Sequence, residues 1–413
     1  MADKDLLKDA RDQFQEGEDG CANQKAQYEE DYRFSRLSEQ WPLEIQQTRK
    51  QEARPCLTIN RMPAFLRQVV NDGRQNRPSI KVRPVDSGAD VETAKVMGGI
   101  VRHVEALSNA DVHYDTALDN CCSGGFGFCG VDVEYACDDT FDLDLKITGF
   151  ENPLAVTWDS KTQAYDSSDW RYAFVTEELP NEEFKEQYPD ADPLPGDFAS
   201  DQPIKSWYQD NMVRVAKWYQ REEFAKQIAL LSNGLVVDTS AIDEEFKALM
   251  QAQGLQVVRE RETRGYKVTI RKITGQDVLE TKVWGGSVIP LVPLWGDVLN
   301  VRGQRYYRSL IHDAKDAQRI HNFSRSAATE MVSLAPKVPF IGEEGVFDTA
   351  DAGKWANVNN KSWPTLTYRK GMQMPARQPF SGIPEGAMGE AAASLEDMKA
   401  IVGIHDEIGR AHV

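Results

Sequence analysis

The residues best suited to act on a charged partner lie near the start of this chain. Across positions 54–85, RPCLTINRMPAFLRQVVNDGRQNRPSIKVRPV, Arg54, Arg61, Arg67, Arg74, Arg77, Lys81 and Arg83 face a single acid, Asp72. Guanidinium and ammonium groups at that density bind phosphates or carboxylates. The whole chain of 413 residues has the opposite sign, with a formal net charge of −17 and a pI of about 4.9. That balance excludes a global positive field, so any contact with DNA is local or avoids a tight grip on the phosphates. Ile59, Met62, Phe65, Leu66, Val69 and Val70 follow a helical stripe, and IKVRPV alternates as a strand that puts Lys81 and Arg83 on one face. Arg74, Arg77, Lys81 and Arg83 then occupy an outer face opposite acids such as Glu29, Glu30 and Asp31. We read them as an electrostatic seam, between subunits or between the N-terminal arm and the domain after it, in preference to a DNA grip.

Other constellations carry less chemistry than their letters promise. Gly125-Phe-Gly127-Phe-Cys-Gly130 spells the dinucleotide fingerprint, which needs a strand before it and a helix after it so that phosphates meet the helix N-terminus. Here a helix ends at Ser123 and a strand begins at Val131, so the glycines read as a helix stop that allows positive φ and close packing. The chain has no G-x-x-x-x-G-K-[ST] loop, no H-E-x-x-H and no nucleophile elbow. Asp138, Asp139, Asp142 and Asp144 surround a hairpin turn, but a two-metal site needs carboxylates converging from distant segments, so we read them as a solvated face. The histidines are scattered singly, and the six cysteines form no C-x-x-C pair. No metal, cofactor or catalytic site is expected, and the weight moves to an assembly or binding protein.

The elements that must position these residues fall into three textures. Residues 3–52 are polar, with spaced Leu6, Leu7, Phe14, Tyr28, Tyr32, Phe34, Leu37 and Trp41, predicting helix that ends at or before Pro42. So few apolar positions cannot enclose a core alone, and this arm should lie on another domain or subunit. Two helical patterns follow: Val91, Ala94, Met97, Ile100, Val101, Val104 and Leu107, then Tyr114, Ala117, Leu118, Cys121 and Cys122, with Ser108 or Asn109 as the cap between them. From 129 to 294 the period becomes strand-like: a hairpin of 131–135 and 141–147, then strands at 154–158, 172–177, 213–221, 226–231, 257–261, 265–273 and 277–283. Their short connections predict antiparallel pairing, and YPDADPLPGDF at 188–198 reads as a loop. Residues 304–333 carry a helical pattern whose stripe of Leu310, Ala314, Ala317, His321, Ser324, Ala328 and Met331 is mostly small, as suits close approach of helices. Short strands in PKVPFIGEEGVF and KSWPTLTYRK, then an alanine-rich helix from about Glu385 to Val402, complete the order. The fold class is α+β.

Four segments in this order, the basic run 54–86, DTALDNCCSGGFGFCGVDVEY, ENPLAVTWD and DAKDAQRIHNFSRSAATEM, resemble the portal proteins of short-tailed double-stranded DNA bacteriophages. The resemblance implies a phage portal fold: residues 1–53 as helical arm, 54–303 as a wing rich in antiparallel strands, 304–334 as first stem helix, 335–380 as a small clip, 381–402 as second stem helix and 403–413 as the start of a tunnel loop. It also implies a ring of about twelve identical subunits at one capsid vertex. That ring nucleates capsid assembly with capsid and scaffolding proteins, docks the terminase large subunit, passes double-stranded DNA through its channel during packaging and ejection, and later joins the tail adaptor. Such a protein is not an enzyme and carries no cofactor. On this resemblance Arg305, Arg308, Lys315, Arg319 and Arg325 are candidates to line the channel or to meet a neighbouring subunit, unless they pair with Asp313, Asp316 and Glu330. Lys337, Arg369 and Lys370 are candidates to meet partners at the clip. Family members continue further, through a return helix and a crown, so the chain is expected to be truncated before the crown.

Two alternatives stay open at this point: a metal-dependent DNA-processing enzyme using the acids at 138–144, and a non-catalytic phage interaction module using the N-terminal arm. No apolar run is long enough to span a membrane, and MADKDLLKDARDQF lacks the apolar core of a signal peptide. The expected location is the virion, with the host cytoplasm during assembly.

Overall fold

The computed structural model describes residues 2–77, 79–85, 90–191, 207–209, 211–239, 255–334, 338–359, 361–378 and 385–404. Helices α1 (Ala2–Arg36), α2 (Leu43–Gln51), α3 (Met62–Gln75), α4 (Val91–Leu107) and α5 (Ala110–Gly124) precede the strands. These are β1 (Phe126–Tyr135), β2 (Leu143–Gly149), β3 (Val156–Trp158), β4 (Tyr172–Pro180), β5 (Tyr208–Gln209), β6 (Met212–Leu231), β7 (Val236–Asp238), β8 (Val257–Ile273), β9 (Val278–Trp284), β10 (Leu291–Trp295), β11 (Asp297–Val301) and β12 (Gln304–Arg308). Helix α6 (Asn181–Gln187) interrupts them. Helix α7 (Lys315–Leu334), β13 (Phe340–Ile341), α8 (Ala352–Asn357), β14 (Ala376–Arg377) and α9 (Glu385–Val402) follow. Helices with antiparallel sheets make this an α+β protein. The chain divides into two units, 1–29 with 72–308 and 30–71 with 309–413.

In the first unit, β10-β1-β2 form one sheet, and β3-β4-β6-β8-β9 form the path of a second. The first part of α1 buries Leu7, Ala10 and Phe14 against Tyr172, Phe174, Trp207 and Trp218. Cys21 and Tyr28 continue the same helix into a core of Phe126, Phe128, Trp158 and Trp170. The part of the arm that belongs to this unit thus buries Leu7, Phe14 and Tyr28 on its sheets, whereas Tyr32 and Leu37 further along the arm are exposed. Ring contacts hold that core together: Phe126 to Trp158 at 5.1 Å, Trp158 to Trp295 at 5.4 Å, and Trp295 stacked on Tyr307 at 4.1 Å. The glycine run works as a helix stop. Gly125 closes α5 at φ 104°, and a Cβ on Gly127 would collide with the carbonyl oxygen of Ala117, so β1 lies against α5 only because that position is bare.

Three expectations change here. The strands expected at 213–221 and 226–231 are one strand, β6, and those at 257–261 and 265–273 are one strand, β8, paired from Ala216–Ile273 to Leu231–Val257. Between Glu222 and Gln227 no residue of β6 is buried, so the alternation that marks a half-covered strand lapses in mid-strand. The helix expected from 304 starts at Lys315, because Gln304–Arg308 pairs with Asp297–Val301 across a turn whose residues Arg302 and Gly303 have φ of 55° and 87°. IKVRPV forms no strand: residues 80–85 pair with no ladder among the described residues, and Pro84 lacks the amide hydrogen a ladder needs. Helix α4 leaves Val91, Met97, Ile100 and Leu107 exposed, with Gly98 its buried residue. Period shows that residues share a face, and says nothing about what covers it.

In the second unit α7 packs on α9. Ala314, Ala317, His321 and Ser324 of the small stripe are buried, as are Ala391, Ser394 and Met398 of α9. The partner of that stripe is therefore a helix of the same chain. Phe340 and Phe347 each approach Trp355 at 5.2 Å to close the small insert, where β13 pairs with β14. KSWPTLTYRK holds no strand. Its Thr367 donates its amide and hydroxyl to Asp351 at 3.0 and 2.7 Å, and its carbonyl accepts from Trp355, so side chains satisfy what a ladder would have satisfied.

Candidate channel and interface residues

Helix α7 carries two stripes, and only one is visible in its apolar pattern. The other is polar and repeats every fourth residue, which places Gln318, Asn322, Ser326 and Glu330 on one face. Each meets the extended chain at 54–61, or the arginines beside it. Gln318 accepts from the Arg61 amide at 3.1 Å and donates to the Ile59 carbonyl at 2.9 Å. Asn322 accepts from the Ile59 amide at 2.9 Å, and Ser326 accepts from the Leu57 amide at 2.9 Å. Glu330 takes Arg49 at 3.3 Å and Arg54 at 2.9 Å. Main-chain groups that would otherwise lack partners are thus satisfied by a helix face. The signal was in the sequence, as Gln, Asn, Ser and Glu at a spacing of four, but apolar periodicity does not register it.

At the head of α7 sits a buried ion cluster. Lys315 Nζ lies 2.7 Å from Asp31 Oδ1 and 2.8 Å from Glu30 Oε1. Asp31 Oδ2 also accepts from the Ser309 hydroxyl at 2.7 Å and stands 3.2 Å from His312 Nδ1. Burial alone would lower the pKa of Lys315; the hydrogen bonds and charges of Asp31 and Glu30 outweigh it, and the net shift is upward. The hydrogen bond from Lys315 holds Glu30 below its ordinary value. Arg319 pairs with Asp316 at 2.9 Å and lies over the Phe34 ring at 5.2 Å. The arm acids Glu30 and Asp31 therefore face α7, where the sequence reading had placed them opposite the basic stretch.

The remaining candidates separate. Arg305 and Arg308 lie on β12 and not on the long helix, and Arg305 donates to the carbonyls of Ala164, at 2.9 Å, and Gln163. Arg325 is exposed on α7 and makes no ion pair among the described residues. Arg74 reaches Asp115 at 2.9 Å, and Arg77 bridges Asp115 at 2.5 Å and Asp111, so both are engaged by α5. Lys81 and Arg83 are exposed, without an ion pair among the described residues. Arg369 and Lys370 are exposed in the small insert, and Lys337 lies outside the described residues. Among the described residues no group of three His, Cys, Asp or Glu side chains could hold a metal, and no helix is long and apolar enough to cross a membrane.

A family model described as Phage P22-like portal protein matches residues 11–411. The chain belongs to that family. Among curated proteins it is similar to a portal protein of Acyrthosiphon pisum secondary endosymbiont phage 1, with 25% identity over 332 residues, which cover 76% of this chain and 45% of the relative. The chain thus spans about half the length of the curated relative it matches. The family match takes in both units, including the arm from residue 11, the basic stretch and α9.

Proposed function

We propose that this chain is a subunit of a phage portal, a ring of about twelve identical copies at one capsid vertex through which double-stranded DNA is packaged and later ejected. The observation that carries the reading is the family match across both units. Physical chemistry supports it. Sliding DNA should not be held by many phosphate contacts, since each adds affinity that must be broken, and a net charge of −17 keeps such contacts few. In this reading α7 and α9 are the stem helices, residues 338–378 belong to the clip, and the sheets of the first unit belong to the wing. The protein is a non-catalytic part of the virion, assembled in the host cytoplasm, and it meets capsid and scaffolding proteins, the terminase large subunit and the tail adaptor.

Among the basic residues, engagement within the chain narrows the choice. Lys315 and Arg319 are taken by carboxylates of their own unit, which leaves Arg325 for the channel or a neighbouring subunit. Arg74 and Arg77 are taken by α5, which leaves Lys81 and Arg83 for the seam. Arg369 and Lys370 are free to meet terminase or adaptor.

Mass photometry and negative-stain microscopy of the purified chain test the proposal. Closed rings of about twelve copies are expected. A persistent monomer that cleaves DNA with magnesium would replace the portal reading with the metal-dependent enzyme, and an inactive monomer would favour the interaction module.

A further inference from the structure

The long pair β6–β8 leaves the body of its sheet. Strand β4 pairs with β6 only as far as Gln220, and β9 pairs with β8 only from Val268 onward. Beyond those points, among the described residues, the two strands pair only with each other and, near their far end, with the short β7, for about 35 Å at the usual rise per residue; Ala229 and Leu231 are buried at that end, and Glu222 to Ala225 are exposed. A two-stranded ribbon of that length is marginal in water unless something covers it.

Its charges say what kind of cover fits. Residues 259–262 read Arg-Glu-Arg-Glu. In a strand, alternate residues point to opposite faces, so this run puts Arg259 and Arg261 on one side and Glu260 and Glu262 on the other. The pairing register is unbroken through these positions, with Arg261 opposite Ile228 and Glu262 opposite Gln227. All four side chains are exposed, and none has an ion-pair partner among the described residues. Neighbouring charges differ in this: Lys226 is paired with Asp238 at 2.9 Å, and Arg264 with Glu223 at 3.2 Å.

We propose that this ribbon is a subunit contact, the Arg259 and Arg261 face of one copy seating on the Glu260 and Glu262 face of the next. The inference rests on the ring reading above. A cyclic ring is built from heterologous contacts, which need two different, mutually complementary patches on one subunit. A ribbon with opposite charges back to back supplies both patches, and repeats them in one rotational sense around the ring. Electrostatic complementarity of this kind fixes register and partner more than it adds affinity.

The test uses three variants of the full chain, followed by mass photometry over a concentration series, with a DNA-retention assay alongside. Arg259→Glu with Arg261→Glu, and separately Glu260→Arg with Glu262→Arg, each place like charges across the contact and raise the concentration needed for half-assembly by about tenfold. Combining all four substitutions exchanges the two faces and restores assembly to within about twofold of the parent. Parent rings whose stability is unchanged in both double variants overturn the contact and leave the ring reading standing. The same holds if the fourfold exchange fails to rescue, or if rings persist while DNA retention is lost with the arginine variant alone. A parent chain that never forms rings overturns both.

Discussion

Lys315 and Asp31 form an ion pair of 2.7 Å with both side chains almost wholly inside the protein, at 8% and 0% exposure. Breaking such a pair strands a charge, which costs more than the pair itself contributes. Asp31→Ala is expected to destabilise the second unit by about 3 kcal/mol in urea unfolding, with Glu30 limiting the loss. Replacing both members, Asp31→Leu with Lys315→Met, should lose less than Asp31→Ala alone. A larger loss in the double variant would mean that the pair contributes net stability.

The helix face that holds residues 57–61 offers a residue-level readout. Asn322→Ala removes the acceptor of the Ile59 amide and leaves that group unsatisfied, a loss of about 1 to 3 kcal/mol. Hydrogen exchange at Ile59 should accelerate with it, while exchange in β6 and β8 stays unchanged.

His321 makes the α7–α9 contact sensitive to acid. Its Nδ1 donates to the Ala391 carbonyl at 2.9 Å, its Nε2 is buried without a partner among the described residues, and Arg61 and Arg325 add positive charge nearby. Burial first, and then those arginines, bring its pKa below the ordinary 6.5 against the opposing effect of the carbonyl. The folded chain therefore binds fewer protons than the unfolded chain just below 6.5, and stability rises with pH across that window. The unfolding temperature should fall as the buffer moves from about pH 7.5 to about pH 5.5, and His321→Gln should flatten that slope.

Gly127→Ala tests the close approach of β1 to α5. The added methyl meets backbone at Ala117 and cannot be relieved by a side-chain rotation. A loss of about 1 to 3 kcal/mol is expected, whereas Gly353→Ala, where the added methyl has open space, should be neutral or slightly stabilising.

What the sequence revealed, and what it hid, follows from which interactions leave a periodic trace. The hairpin of β1 and β2, the helix stop at Gly125 and the need of the arm for a surface outside itself could be read because apolar spacing and turn glycines are local signals. The continuity of β6 and β8 could not, because β6 has no buried residue between Glu222 and Gln227. The stripe beginning at Leu310, extended backward to 304, puts Arg305 and Arg308 on a helix, whereas those residues form strand β12. The grip of Gln318, Asn322 and Ser326 on distant main chain leaves no apolar trace at all. Arg77 could be recognised as a pairing residue, but its partners Asp111 and Asp115 could not, since charges at large separation in sequence carry no register.

Asn322 and the Ile59 amide it satisfies are 263 residues apart in the chain. Nearly all of the first unit is synthesised between them. As the polypeptide leaves the ribosome, the described strands of the first unit are complete by residue 308, while the acceptors of the Leu57, Ile59 and Arg61 amides are not made until α7 emerges. Order of synthesis is thus expected to set order of folding, with the second unit closing after the first.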